Sequence, residues 1–525
     1  MDPNPGVNME CSKAKNAQTR GRNSSRHIGL VRGLGWAAAL AALSTISAGA
    51  ADVTLNLSSK KQEIDGFGAS SAWCGTVPSS VMNVLYGDLG FSILRLRIEE
   101  GIGDNWKSGP YTSWNAELNN AKAASAKGAR VFATPWNPPA SLRLNTGSST
   151  AKYSTDPSKW ATYRDYLNAY VKYMKDNGVD LYAISVQNEP DYAKEWTNWT
   201  PTQARDFVVN YGASINTRLI SAESFNFSKS MYDPTLNDSK ALENVDILGL
   251  HLYGTPVSGF AYPLFESKGR PAGKKLWMTE HYIGEKETDV NIANTVAIGK
   301  EIHDCMVTGN MSAYVYWWIT WPNGLAKSDG TIYQRAHAIG QFSKLIRPGY
   351  YRIDATATPA SNVYVSAYTG GGKVVIVAVN TGTSAVNQKF NVQGGTVAQF
   401  STTQTASGKN MVAGSAVQVS GGSFTASLPG QSITTFAGST TPTSIPTELG
   451  SPRLSFALRG GVPWVGMPSG ENGTLRVASM DGRVVETRSI PVGASEVALE
   501  TRRRGLYLVE VAQGTTSQSI TIAIP

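Results

Sequence analysis

Between residues 62 and 345, short apolar runs alternate with longer amphipathic stretches. Eight runs stand out, at 63–68, 91–98, 129–134, 181–186, 218–222, 245–252, 275–279 and 313–319. Most are nearly continuous in apolar residues, the pattern of strands covered on both faces, as in a parallel sheet. The stretches between them, such as 160–177 and 291–307, repeat apolar residues every three or four positions and predict helices. Eight strand–helix units over this length predict a (β/α)8 TIM barrel of the α/β class. A doubly wound sheet would carry a G-x-G-x-x-G turn after its first strand, and GFGAS at 66–70 lacks that spacing.

From 346 to 437 the pattern changes to alternating Val, Thr, Ser and Gly, clearest at 363–368, 373–380 and 432–436. Such alternation predicts an antiparallel β-sandwich. The stretch 51–61, with the same alternation at 53–57, is expected to supply that side domain with a first strand. Residues 438–452 (GSTTPTSIPTELGSP) read as a Pro/Ser/Thr linker. Residues 453–525 then hold eight arginines and no lysine, which marks a separate small C-terminal all-β module.

Composition excludes some function classes. The chain is 525 residues long, 41% hydrophobic and 16% charged, which describes a folded protein of several modules. Its net charge of +8 owes +4 to residues 1–50, where six Lys/Arg meet Asp2 and Glu10. The mild remainder argues against a nucleic-acid partner. Those first 50 residues read as a signal peptide: an Arg-rich stretch, an apolar run at 34–46 too short to span a membrane, then Ala48-Gly49-Ala50. Met9 is an alternative start. A secreted or cell-surface protein without a membrane span is expected. Cleavage near Ala50 leaves Cys74 and Cys305, whose pairing the sequence leaves open.

Chemistry in a TIM barrel sits at the C-terminal strand tips. The fourth run, within AISVQNEPDY at 183–192, delivers Asn188-Glu189 to its tip, and Pro190 removes the next backbone donor. The seventh delivers Glu280-His281-Tyr282. Other tips carry Arg95 and Arg97, Trp136-Asn137, Glu223, His251 and Tyr253, and Trp317-Trp318. Two carboxylates across a cleft lined with Trp and Tyr is the arrangement glycoside hydrolysis requires. Glu223 reads as a supporting or rim residue, and His251 and His281 as rim or packing residues. The five histidines form no H-E-x-x-H cluster, so no metal or cofactor is expected. Trp196 and Trp199 fit cleft lining and helix packing equally well. Side-chain alternation would send Trp317 and Trp318 to opposite faces, so at most one should reach the cleft.

The strings FSILRLRIEE, ATPWNPPASL, YAISVQNEPDYA, DILGLHLYGT, LWMTEHY and RPGYYRIDAT resemble glycoside hydrolase family thirty, in its bacterial xylanase branch. The resemblance covers roughly residues 53–437. It implies a retaining enzyme with Glu189 as acid/base and Glu280 as nucleophile. Arg95 would hold the nucleophile ionised, and Asn188 would bond the sugar 2-hydroxyl. Trp73, Trp136 and Tyr253 match sugar-binding aromatics, with Tyr282 placed beside them. Xylan is then the expected substrate, handled by a monomer. Relatives that demand a glucuronic acid branch carry consecutive arginines after the eighth strand, where this chain has Ile319-Thr320-Trp321-Pro322-Asn323; the loop at 284–289 also reads as shorter. Dependence on a uronate is therefore not expected. Other readings are an exo-acting or β-glucan-cleaving relative, or an inactive xylan-binding protein. The tail, with DGR at 481–483 and GLYLVEV at 505–511, resembles terminal sorting domains of type nine secretion substrates or basic terminal domains, implying contact with secretion machinery or the cell surface. The competing reading is a carbohydrate-binding module.

Overall fold

The computed structural model describes residues 50–192, 194–284, 291–321, 324–441, 454–459, 462–467, 472–479, 484–501, 504–513 and 516–524. The leader, the D-G turn at 481–482 and most of the linker lie outside these residues. Eight parallel strands close into a barrel in chain order: Gly66–Ser70, Ile93–Ile98, Arg130–Pro135, Ala183–Ser185, Arg218–Ile220, Ile247–His251, Lys275–His281 and Ala313–Tyr316. Closure is made by the eighth strand on the first, with Ala313 opposite Gly66 and Tyr316 opposite Ala69. Each of the eight apolar runs of the sequence thus overlaps a barrel strand. Helices Trp160–Asp176 and Ile292–Val307 fall where the apolar period predicts them, the second capped by Asn291, whose side chain accepts from Asn294 N at 2.9 Å.

Ile93, Phe132, Ala183, Ile220, Ile247, Trp277, Ala313 and Val315 form one buried cluster contributed by strands all around the barrel. Trp277 Nε1 donates to Asp65 Oδ2 at 2.9 Å, and Arg130 pairs with Asp65. The barrel interior is therefore a packed core rather than a pore, and chemistry is left to the opposite rim.

The side domain is one sheet built from both ends of this region. Its central strand Val53–Ile64 lies between Tyr350–Ala355, antiparallel, and Val386–Gln393, parallel. The sheet curls so that Phe390 and Phe424 stack at 4.7 Å and meet Phe400 and Phe436. Its other face packs on the barrel: a Cβ on Gly299 of the helix Ile292–Val307 would meet Ile433 Cδ1 at 2.6 Å. Any side chain there would have to push Ile433 aside.

Two boundaries differ from expectation. The side-domain strand continues through Ile64 and the barrel begins after it, because Glu63 and Ile64 still pair with Tyr351 and Tyr350. At the other end, Gly438–Thr441, expected in the linker, complete a strand through pairs with Lys373 and Val374 and with Thr396 and Val397. In both places the extended chain runs on past the expected boundary.

The described part of the tail forms two small sheets, of three and four strands, over its own core of Leu475, Val477, Tyr507 and Val509. Tyr507 is buried, and among the described residues the tail shows no row of exposed aromatics. No helix among the described residues is long and apolar enough to cross a membrane.

Candidate active site

Arg95 rises from the second strand with no exposed surface and binds the tips around it. Its Nη1 donates to Glu280 Oε2, and its Nη2 to Asn188 Oδ1 at 2.7 Å; Nη2 lies 3.2 Å from Glu223 Oε2. The Trp136 ring lies 4.5 Å from the guanidinium carbon. A cation without water must be held this way, by carboxylates and an aromatic face. Burial alone would lower the Arg95 pKa, but Glu223 and Glu280 reverse the sign and raise it.

Glu280 ends the seventh strand and is 5% exposed. Besides Arg95 it accepts from Tyr253 Oη, at Oε1, at 2.9 Å. Glu189, also 5% exposed, sits at φ 42°, in the left-handed region. That conformation costs about 1–3 kcal/mol for a residue with a Cβ. The fifth strand's extension holds it there: Glu189 N donates to Glu223 O and Glu223 N to Gln187 O, both at 2.8 Å. The side chain bonds His251 Nδ1 through Oε1 and accepts from Trp196 Nε1 through Oε2, both at 2.9 Å.

Burial pushes the Glu189 carboxyl up to about 7; His251 opposes this and the Glu280 charge adds to it. Burial would also raise Glu223, but Arg95 and His251 outweigh it and hold Glu223 at about 2. His251 is lowered by burial and raised more strongly by the Glu280, Glu189 and Glu223 carboxylates, reaching about 9. Arg95 and His251 face the carboxyls of Glu223, Glu280 and Glu189 in one buried cluster. One carboxyl of the pair thus keeps its proton near pH 7 while its neighbour is held by a cation, the division of roles an acid and a nucleophile need.

Glu189, His251 and Glu280 bring potential ligand atoms within 4.8 Å of one another. Their carboxyl oxygens already accept from Arg95 and Tyr253 at Glu280 and from Trp196 at Glu189. The same spacing sets the two carboxyl groups close, short of the ~6.5–9.5 Å that leaves room for a water between acid and base.

Around the carboxylates, Trp73, Trp136, Trp196, Trp317, Trp318 and Tyr282 form one aromatic cluster. Trp73 lies 5.1 Å from Trp136, 5.9 Å from Trp317 and 6.3 Å from Trp318. Both tryptophans after the eighth strand therefore reach the cleft, against the alternation expected of them. The strand ends at Tyr316, so its alternation no longer applies. The loop bearing Trp73 is fastened by the helix Asn115–Ser125: Ser71 Oγ donates to Glu117, and Asn120 bonds both Gly75 O at 2.7 Å and Val77 N at 2.9 Å.

The sequence-predicted residues Glu189, Glu280, Arg95, Asn188, Trp73, Trp136, Tyr253 and Tyr282 are thus brought to one rim. Asn188 Nδ2 has no protein partner there. Of the alternatives read for Glu223 and His251, the structure takes the supporting, hydrogen-bonding one: both are fully buried, Glu223 beside Arg95 and His251 beside Glu189, and neither lies on the rim. Their signal was present, since Glu223 follows the run 218–222 directly and His251 lies near the end of the run 245–252, but a one-dimensional reading gives no depth. Trp196 joins the site, whereas Trp199 stacks on Trp160 in the core. His281 turns away to Glu301 at 2.7 Å. Cys74 and Cys305 are both free. Of the two uronate-loop segments, 285–289 and 322–323 lie outside the described residues.

No protein-family model matches the chain. Over 399 residues it is 47% identical to the glucuronoxylanase XynC of Bacillus subtilis strain 168, spanning 74% of this chain and 92% of that protein. A GH30 endoxylanase from Clostridium papyrosolvens C71 superposes with a TM-score of 0.71 at 62% identity, covering 74% of this chain and all of that one. Xyn30A, a glycoside hydrolase family 30 subfamily 8 xylanase from Clostridium acetobutylicum, gives 0.70 at 48% identity, covering 74% of this chain and 99% of its own. With identity at this level over most of the length of its relatives, and the paired carboxylates at its strand tips, the chain belongs to glycoside hydrolase family 30.

Proposed function

We propose that this protein is a retaining endo-β-1,4-xylanase in which Glu280 is the nucleophile and Glu189 the acid/base. The observation that carries the reading is the pair of close carboxyl groups, one bound to Arg95 and the other raised to about 7. Glu280 attacks the anomeric carbon while the bond to the leaving sugar oxygen breaks and Glu189 donates its proton to that oxygen. The resulting ester removes the Glu280 charge, and with it one cause of the high Glu189 pKa. Glu189 then takes a proton from water, whose oxygen attacks the same carbon and releases Glu280. Two displacements give net retention. Asn188 Nδ2 is free to bond the sugar 2-hydroxyl, and the aromatic cluster supplies the surface on which sugar rings stack. The names of the relatives support xylan as the substrate.

Independence from a uronate branch is part of the proposal. By the resemblance, Ile319-Thr320-Trp321-Pro322-Asn323 stand where uronate-demanding relatives carry consecutive arginines, and without an arginine fork a docked carboxylate has no planar bidentate partner to offset its lost hydration. Activity on undecorated xylan is therefore expected to be comparable to that on glucuronoxylan, measured as kcat/KM on both. Products that all carry a glucuronic acid at one fixed distance from the reducing end would contradict this.

Export, with the tail as a sorting or attachment module, is the reading that the leader and the tail's resemblance support. A chain ending within residues 442–452 should hydrolyse soluble xylan as the full chain does, with export or surface attachment altered. If instead the full chain retains insoluble xylan in high salt and the shortened one does not, the tail is a binding module.

A further inference from the structure

Beside Trp73, on the side of the loop that follows the eighth strand, lies a cavity of about 400 Å³. Trp73, Thr320, Trp321, Lys327, Asp329 and Tyr333 line it. Its volume falls at the lower end of the ~300–1,000 Å³ of ligand pockets, enough for one sugar ring and its hydration. Trp321 is 51% exposed, and it is the one aromatic ring among the exposed large hydrophobic residues described. It meets Trp318 edge to face, with centroids 4.7 Å apart at 63°, so that contact does not consume both faces of the Trp321 indole. Through Trp318 and Trp73 the ring is continuous with the aromatic cluster over the carboxylates.

The polar groups of the cavity define what it takes. Lys327 and Asp329 both line the cavity and bring one charge of each sign to it. Asp329 Oδ1 already accepts from Thr331 N at 2.8 Å, which orders the turn that carries both residues. An exposed indole face with hydroxyl-bonding groups at its edge matches a neutral sugar, whose C–H face is apolar and whose rim is polar. We propose that this cavity is a further sugar position, which holds a neutral pentosyl ring stacked on Trp321. The inference rests on the xylanase reading and adds a specificity determinant to it. The ring comes either from the next backbone xylose or from a neutral arabinosyl branch.

The test is calorimetric binding of linear xylo-oligosaccharides of increasing length, and of arabinosyl-substituted ones, to full-length protein carrying Glu280→Gln to prevent turnover. Adding Trp321→Ala should weaken binding about five- to twentyfold for ligands that reach the pocket and leave shorter ones unchanged. Trp321→Tyr, which keeps a stacking face, should restore most of the loss. A loss confined to longer linear ligands assigns the backbone ring, and one confined to arabinosylated ligands assigns the branch. Equal binding with and without the indole overturns the proposal. So does a Trp321 dependence seen only with glucuronic-acid-bearing ligands. Should the native protein fail to hydrolyse xylan while Trp321-dependent binding persists, the xylanase reading falls and the sugar position stands.

Discussion

Glu280→Gln is expected to abolish xylan hydrolysis while leaving the fold in place. The amide keeps the shape of the carboxyl, and its one oxygen can still accept from Arg95 while its NH2 turns to Tyr253 Oη as a donor, but it cannot form the glycosyl ester. Glu189→Ala should fail differently. On xylan, loss of the acid should cost about 10²–10⁴-fold. On an aryl xyloside whose leaving group needs no proton, the first step should survive and the second stall, giving a burst followed by slow turnover. The pH profile separates the two roles further. Glu189 is raised to about 7, so it is protonated below that pH and loses its proton above. Xylan kcat/KM of the native enzyme should therefore fall as pH rises through about 7, and that limb should vanish in Glu189→Ala. An unchanged basic limb in the variant would assign the acid to another group, and net inversion of the product would sink the mechanism.

Arg95→Met is expected to cost more stability than any other single change at the site. It leaves Glu223 and Glu280 facing each other beneath the rim with His251 as their remaining cation. Breaking a buried pair of this kind costs about 3–5 kcal/mol. That is a large share of the ~5–15 kcal/mol that holds a domain together. A fall in Tm on the order of 5–10 °C follows. The pH dependence gives a second reading. Glu223 is held at about 2 against an ordinary value of 4.5, so its contribution to stability is complete above pH 4.5 and is lost as pH falls toward 2. Without Arg95, the stability curve should flatten across that window. Arg95→Lys keeps a charge but cannot reach Glu280, Asn188 and Glu223 together, and it should fall between the two. A Tm within a degree or two of the native value in Arg95→Met would show that the cluster reorganises around His251 alone.

Much of the barrel was legible because parallel strands buried on both faces read as unbroken apolar runs. Glu280 was legible because it follows its run directly, within the strand Lys275–His281; Glu189 was legible as the carboxylate soon after its run, although it lies past the strand end at Ser185 and is placed by its backbone bond to Glu223. What stayed hidden depended on depth and on exact strand ends. Glu223 and His251 have the same sequence signature as rim residues, and only the third dimension places them beneath the carboxylates. Trp317 and Trp318 were misassigned because the alternation rule was applied past Tyr316, where the strand has stopped. Trp196 and Trp199 lie in one short segment, yet one bonds Glu189 and the other stacks in the core. No periodicity distinguishes them.

The strand Val53–Ile64 leaves the ribosome well ahead of its neighbours in the sheet, Tyr350–Ala355 and Val386–Gln393. At ~5–20 residues per second, the nascent chain carries it for tens of seconds with both edges unpaired. Val53, Leu55 and Leu57 then present an apolar face on an open edge, a template for pairing with another chain. Chains interrupted before residue 386 would be the dangerous products of synthesis, more so than chains that lose the tail. For the same reason, a fragment cut at the end of the barrel would not be a smaller enzyme, because it would keep the strand and lose both partners. Production of this protein is best served by conditions that hold the early chain apart from its copies until the last strands of the sheet arrive.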